Sequence, residues 1–362
     1  MPLSMPFPTL AFVILTCPSL QNECGARSTD SDMRIGLFIS ETGVHGSTID
    51  DLVNRAVWAE DNGIDTGWVP HIPWSLDALT ALAIVGRETS RIELGTGVVP
   101  TWSHHPYGMA QHALTTQAAC NGRLAFGIGP SHRNVAENWY GADYDGVIHH
   151  VRDYVSVLDA CSTAQVEANN TNGGPGGMGG TVSFQGDRYT VQSLLDVPGA
   201  TPVPVFLAAL APLMLKLAGE RAAGTITWMC DEHTHSTHVL PKLSGAARAA
   251  GRETPRVIAG LPVAVCDDST KGKEVAELKF GMYRHMPNYA RMLELGESGS
   301  PSEVAVIGTE EQVTERLASY EASGVTDLAA MTFAVGDSDG ERSESAERTR
   351  QLLAKLARAN RS

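Results

Sequence analysis

No Cys-x-x-Cys pair occurs among the six cysteines (Cys17, Cys24, Cys120, Cys161, Cys230 and Cys266). Their spacing fits neither a zinc site nor a disulfide framework, and buried free thiols are the simpler reading. Clustered Lys/Arg is also missing, and the net charge is −14. The chain therefore lacks the basic footprint of a nucleic-acid binder. The apolar stretch Phe7–Leu20 is broken by Pro8 and Pro18 and is too short for stable membrane insertion. The sequence contains no G-x-S-x-G elbow and no P-loop, so neither an activated serine nor a phosphate cradle of that kind is indicated. Glu41-Thr-Gly-Val-His-Gly46 is not the G-x-G-x-x-G turn of a dinucleotide-binding domain.

What is present is a large apolar fraction, 43% of 362 residues, enough for a sizeable core. The first 32 residues carry no positive charge before Arg27, so they read as a misassigned start or disordered tail rather than a secretory signal. Met33 begins the structured region, expected as one domain over 33–362 in the cytoplasm. Export through the first 26 residues is the alternative.

From Met33 the pattern alternates short apolar runs with helical periodicity. Strands are expected at Ile35–Ile39, Thr66–Val69, Arg91–Val99, Leu124–Ile128, Val203–Ala208, Thr225–Met229, Val257–Val265 and Asp327–Phe333. Helices are expected at 49–62, 76–88, 107–120, 149–161, 212–222, 238–250, 311–323 and 347–359. The glycine-rich stretch 169–180 reads as a flexible loop, followed by a small hairpin, making an insertion near 169–192. Eight strands, most leading to a helix, predict an α/β fold of the (β/α)8 TIM-barrel type with insertions.

In such a barrel the loops after the strands share one face and build the active site. The second strand delivers His71 and Trp74 there. The third brings Gly97, Val98, Trp102, His104 and His105, and the fourth Gly129, Ser131 and His132. The fifth and sixth supply Ala209, Leu210 and Ala211, then Trp228 and Met229. Glycine at a strand exit marks a close backbone approach or a positive φ. Glycine backbone, aromatic rings and neutral-pH acid/base groups suit a flat redox cofactor that carries the electron chemistry itself. The His-x-His pattern in Asp231-Glu-His-Thr-His-Ser-Thr-His238 could hold zinc. A solvated loop or helix entry is the preferred reading, with no metal.

The segments Ala59–Asp65, Arg91–Val98, His105-Pro106, Asn121–Gly129, Pro204–Pro212, Leu217–Glu220, Ile307–Glu311 and Ala322–Asp327 follow one another in a familiar order. Through them Met33 to about Ala359 resembles the bacterial luciferase-like monooxygenase superfamily, in particular its branch using the 8-hydroxy-5-deazaflavin coenzyme F-420. The resemblance implies a non-prolyl cis peptide at Gly97-Val98 against the cofactor ring. It also implies that Ser131 and the backbone of Ala209–Ala211 approach the cofactor, and it retains His71 as the candidate acid/base; from the strand ends themselves Trp74 and Gly129 are added as cofactor contacts and His132 as a second proton-transfer candidate. Relatives that oxidise sugar phosphates place Asp-His after the second strand and Glu after the fourth. Here Pro70-His71 and His132 stand at those positions, which argues against that sugar chemistry. The expected activity is hydride transfer between F-420 and a small organic substrate. The alternatives are an FMN-dependent monooxygenase with O2 and a separate flavin reductase, and a cofactor-binding protein without catalysis. A homodimer is implied by the same resemblance.

Overall fold

A computed structural model of the chain describes residues 33–40, 46–171 and 177–360. The expected N-terminal tail, most of the 41–46 segment and the centre of the glycine-rich loop lie outside the described residues. The elements begin with β1 (Arg34–Phe38), α1 (Ile49–Asp61), β2 (Thr66–Val69), α2 (Ala78–Glu88), β3 (Glu93–Thr96), β4 (Val99–Pro100) and α3 (Pro106–Ala119). They continue as β5 (Leu124–Gly129), α4 (Arg133–Trp139), α5 (Val147–Asn170), β6 (Gly180–Gln185), β7 (Thr190–Leu195), β8 (Val205–Ala208), α6 (Pro212–Arg221) and β9 (Gly224–Trp228). The last part holds α7 (Glu232–Thr234), α8 (Leu240–Ala249), β10 (Arg256–Val265), α9 (Ser269–Phe280), α10 (Pro287–Leu295), α11 (Pro301–Val304), β11 (Val306–Gly308), α12 (Glu310–Ala322), β12 (Asp327–Thr332) and α13 (Asp339–Ala359).

Parallel pairing runs β10-β12-β1-β2-β3-β5-β8-β9, and β9 pairs back to β10. The eight strands thus close into the expected (β/α)8 barrel. Closure removes both sheet edges. Strands such as β2 and β5 are buried along their whole length, as sheets covered on both faces require. Helix starts are set by local chemistry. Thr48, Thr309 and Ser338 each close a capping box with the residue three positions on, which satisfies otherwise orphaned amides.

Several expectations need correction. The third strand is interrupted after Thr96 and resumes as β4, because the chain turns at Gly97-Val98. Helix α5 runs to Asn170 instead of ending at Cys161, so the glycine-rich loop begins later. The final helix starts at Asp339, eight residues before expected; its first turns are polar and show no apolar periodicity. Between β10 and α12 lies an insertion, α9 to β11, for which no element was expected. The His-rich stretch is a continuous helical entry: Asp231 caps α7, a π-helical turn spans His235–Val239, and α8 follows.

The barrel floor is ionic. Arg256 donates to both Glu93 oxygens at 3.0 and 2.9 Å and from Nε to Asp327 at 3.0 Å. Arg34 reaches Glu93 at 2.9 Å and Asp327 at 3.2 Å. This ties β1, β3, β10 and β12 together. Burial alone would raise the Glu93 pKa, but the Arg256 hydrogen bonds and charge bring it down to about 2. A depressed carboxylate stabilises fully above its unfolded value and loses that stabilisation as pH falls toward its folded value. We expect Glu93→Gln to cost about 3 kcal/mol, since it leaves buried arginine charge uncompensated. Urea unfolding at pH 7 and pH 3 checks this, and the difference between variant and parent should shrink at the lower pH.

Candidate active site

The site grows from one interruption in the sheet. The peptide Gly97-Val98 is cis, so the regular ladder between β3 and β5 stops at Gly95↔Ala125 and restarts at Val99↔Ile128. The Thr96 side chain fills the gap. Its hydroxyl donates to Gly127 O at 2.7 Å and accepts from Gly127 N at 2.8 Å. Buried backbone groups must find partners, and one hydroxyl serves both. A Cβ on Gly127 would overlap Thr96 O, and one on Gly129 would press on Ala208 Cβ and Val98 Cγ2. These glycines therefore exist first for packing around the bulge. Gly129 meets protein atoms on the side where a Cβ would stand.

The strand ends then present their side chains. His71 follows β2 with a side chain only 10% exposed; its Nδ1 lies 3.5 Å from Asp77 Oδ2 without a closed hydrogen bond, a contact that becomes ionic when the imidazole is protonated. Burial lowers the His71 pKa below the ordinary 6.5, Asp77 opposes this, and His104 adds to it. Asp77 itself caps α2 by accepting from Thr80 N at 2.8 Å. After β5, Ser131 holds a positive φ of 55°, uncommon for a residue with a side chain, and its carbonyl accepts from Tyr144 at 3.1 Å. His132 starts α4 without capping it, and burial lowers its pKa as well. No contact joins His71 to His132, because β3 stands between their strands.

After β8, Ala209 is buried, Ala211 takes the N-cap position of α6 with no side-chain cap, and Pro212 is its first residue. The Leu210 carbonyl accepts from His238 Nε2 at 2.8 Å. Trp228 closes β9. Its buried indole nitrogen has no hydrogen bond of ordinary geometry, although the Tyr283 hydroxyl approaches it.

Other candidates serve the scaffold. Trp102 donates to Pro130 O at 2.7 Å and stacks on His150 with centroids 3.6 Å apart. His105 caps α3. In the His-x-His pair, His233 faces Glu297, while His235 is held between Thr227 Oγ1 and Asp231 O. The two imidazoles thus serve different partners. Among the described residues no group of three His, Cys, Asp or Glu side chains is placed to hold a metal ion. Trp74 is 67% exposed and meets Trp139 edge-on, centroids 5.0 Å apart. It lies in the loop that follows β2, with most of its surface in solvent.

The insertion supplies what sequence reasoning missed. Tyr289 packs on His132 at 5.4 Å and on Tyr283 at 5.0 Å. Tyr283 packs on Trp228 at 5.7 Å, and Trp228 on Phe38 at 6.3 Å. Burial raises both tyrosine pKa values, so their hydroxyls stay protonated. Two signals were available: Asp268 as a helix cap and Pro287 at a first helical position, both ordinary start signals.

The profile of the luciferase-like monooxygenase family matches residues 33–327, and the chain belongs to this family. Among individual relatives, a Mycobacterium tuberculosis protein provisionally named a coenzyme F-420-dependent oxidoreductase is 27% identical over 312 residues, covering 74% of this chain and 86% of that protein. An F-420-dependent glucose-6-phosphate dehydrogenase of Amycolatopsis mediterranei is 26% identical, covering 64% and 69%. The fold is shared with an F-420-dependent secondary alcohol dehydrogenase solved with an F-420–acetone adduct, at TM-score 0.70, 17% identity and coverage of 91% and 99%. It is shared equally with the FMN-bound oxygenating component of 3,6-diketocamphane monooxygenase from Pseudomonas putida, at TM-score 0.67, 17% identity and coverage of 91% and 98%.

Because Gly127 has no room for a methyl group, Gly127→Ala should destabilise the barrel by about 3 kcal/mol. Thermal and urea unfolding of the purified variant checks this.

Proposed function

We propose that this protein is an oxidoreductase that moves a hydride between coenzyme F-420 and a small organic substrate. The observation that carries the reading is the break in the β3–β5 ladder, bridged by Thr96 and flanked in the strand order by the two histidine-bearing ends of β2 and β5. The names of the relatives support the choice of cofactor.

The residues present fit a flat, anionic cofactor. Val98 presents a partly exposed side chain on the bulge. The first-turn amides of α6 lack a side-chain cap, and helix N-termini favour anions. Gly129, Ser131 and Ala209–Ala211 line the backbone route between these points, and Trp228 brings a buried N–H without a good protein acceptor. When bound, the deazaflavin supplies hydride chemistry at its C5. The protein's own part is to seat the ring on Val98, exclude water with the aromatic insertion, and move one proton. His71 is the residue for that proton. Its lowered pKa keeps it neutral at pH 7, able to accept at a ring nitrogen, while Asp77 at 3.5 Å orients the imidazole and supports the charged form. His132, also neutral and packed on Tyr289, assists from the other side of β3.

The first test is a titration of purified protein with F-420 and with FMN, followed by protein fluorescence. Selective binding of F-420, with loss of oxidised-deazaflavin absorbance on adding a secondary alcohol, is expected. Selective FMN binding and O2 consumption with a supplied flavin reductase would replace this reading by the monooxygenase one. His71→Ala is expected to slow substrate oxidation by about 100-fold. The parent enzyme's kcat/KM should be level at neutral pH and fall only below the ordinary imidazole value of 6.5, because only there does the base become protonated. Intact turnover in His71→Ala would remove that residue from the proton path.

A further inference from the structure

Two tryptophans on this face are among the exposed large hydrophobic residues: Trp74 at 67% and Trp139 at 48%. Burying an indole is worth more than burying almost any other side chain, so two of them left in solvent on one rim call for an occupant. Their positions are set by the barrel. Trp74 lies three residues after His71, in the loop that follows β2. Trp139 ends α4, the helix that His132 begins after β5. Strand order is β2-β3-β5. A side-chain contact between those two loops must therefore pass over the end of β3, where the chain turns at Gly97-Val98. The rings meet at 61° with centroids 5.0 Å apart, an edge-to-face arrangement that leaves broad ring surface uncovered. The pair thus bridges the loops after β2 and β5 across the intervening strand.

The surroundings of this pair select the chemistry of a ligand. Indole faces attract flat rings and cations alike. A cation would want a free carboxylate nearby, and the carboxylates of these two loops have partners, Asp143 by accepting from Asp145 N at 2.9 Å. Asp77 caps α2 and faces His71. Glu137 and Asp145 both hold Arg133, at 2.6 and 2.8 Å. Beyond His132 the wall continues as Tyr289, Tyr283 and Trp228, again rings without an unpaired charge.

We propose that Trp74 and Trp139 form the recognition surface for a neutral substrate bearing a flat, unsaturated ring system, held where the loops after β2 and β5 meet. This rests on the hydride-transfer reading for what happens to the substrate, but not for its binding. Trp139 is a specificity-determining residue that the sequence pattern did not suggest.

The test is equilibrium dialysis of the full-length protein against three probes: 2-acetylnaphthalene, its saturated counterpart 2-acetyldecalin, and tetraethylammonium. The flat ketone should bind about tenfold more tightly than the saturated one. Trp139→Phe, which keeps a ring, should retain most of that preference. Trp139→Leu, which keeps apolar bulk on an exposed position, should reduce it to about twofold or less. Equal binding of flat and saturated ketones by the parent overturns the proposal, as does an undiminished preference in Trp139→Leu. Tetraethylammonium binding most tightly would overturn it in favour of a cationic substrate. Repeating the dialysis with oxidised F-420 separates the two claims. Ring-dependent ketone binding without any F-420 binding would sink the hydride reading alone. F-420 binding without ring selectivity would sink this inference alone.

Discussion

The Thr96 hydroxyl is the interaction on which the site depends. A sheet cannot turn inside its own ladder without stranding backbone groups, and β3 turns at Gly97-Val98. Thr96 accepts one amide of Gly127 and donates to the carbonyl of the same residue, so both orphans are satisfied by three atoms of side chain. Everything near the bulge follows. Gly127 and Gly129 must lack a Cβ so that β5 can lie against it, and Ala208 must be small for the same reason. Val98, partly exposed, then packs its methyl groups against Gly127 and Gly129.

The second feature is a division of labour between barrel and insertion. Strand ends hold the histidines, and the segment α9 to α10 packs Tyr289 on His132 and Phe280 and Tyr283 on Trp228. One carboxylate fastens that segment. Asp231, just after β9, accepts from Thr234 N at 2.8 Å and from the backbone of Glu297 and Ser298 at 2.7 and 2.9 Å. Burial would raise its pKa, but these hydrogen bonds win and lower it. The segment is thus anchored by an ionised group at neutral pH. It packs on the sixth-strand side, while the second- and fourth-strand loops carry the tryptophan rim.

Most of the barrel was legible because apolar runs such as Leu124–Ile128 end in glycine or proline and recur between helical periods. Gly95 and Gly97 marked a close backbone approach at the end of Arg91–Val99, but the turn at Gly97-Val98 itself was visible only through resemblance. Helix α4 was hidden by its polarity: Arg133, Asn134, Glu137 and Asn138 leave only Ala136 buried. The insertion was hidden for a different reason. Its apolar residues are spread over short elements: Phe280 ends α9, Tyr283 follows it, and Tyr289, Met292 and Leu293 fall on the nine residues of α10. The histidine-rich stretch was legible as a helix entry, but not the burial of His235 and His238 within it. His235 is turned inward by Thr227 and Asp231, a tertiary effect that spacing does not encode. Trp74 and Trp139 lie sixty-five positions apart, and only the strand order brings them together.

The ionic floor has a consequence for how the chain is made. Arg34 in β1 needs Asp327 in β12, and β1 has no second neighbour until that last strand exists. During synthesis, then, β1 keeps an open edge until almost all of the barrel that follows it has been made. An unpaired strand edge is a template for the wrong partner. The exposed period is set by translation time, and the arginine at the edge provides a charge that discourages strangers while the proper carboxylate is still being assembled.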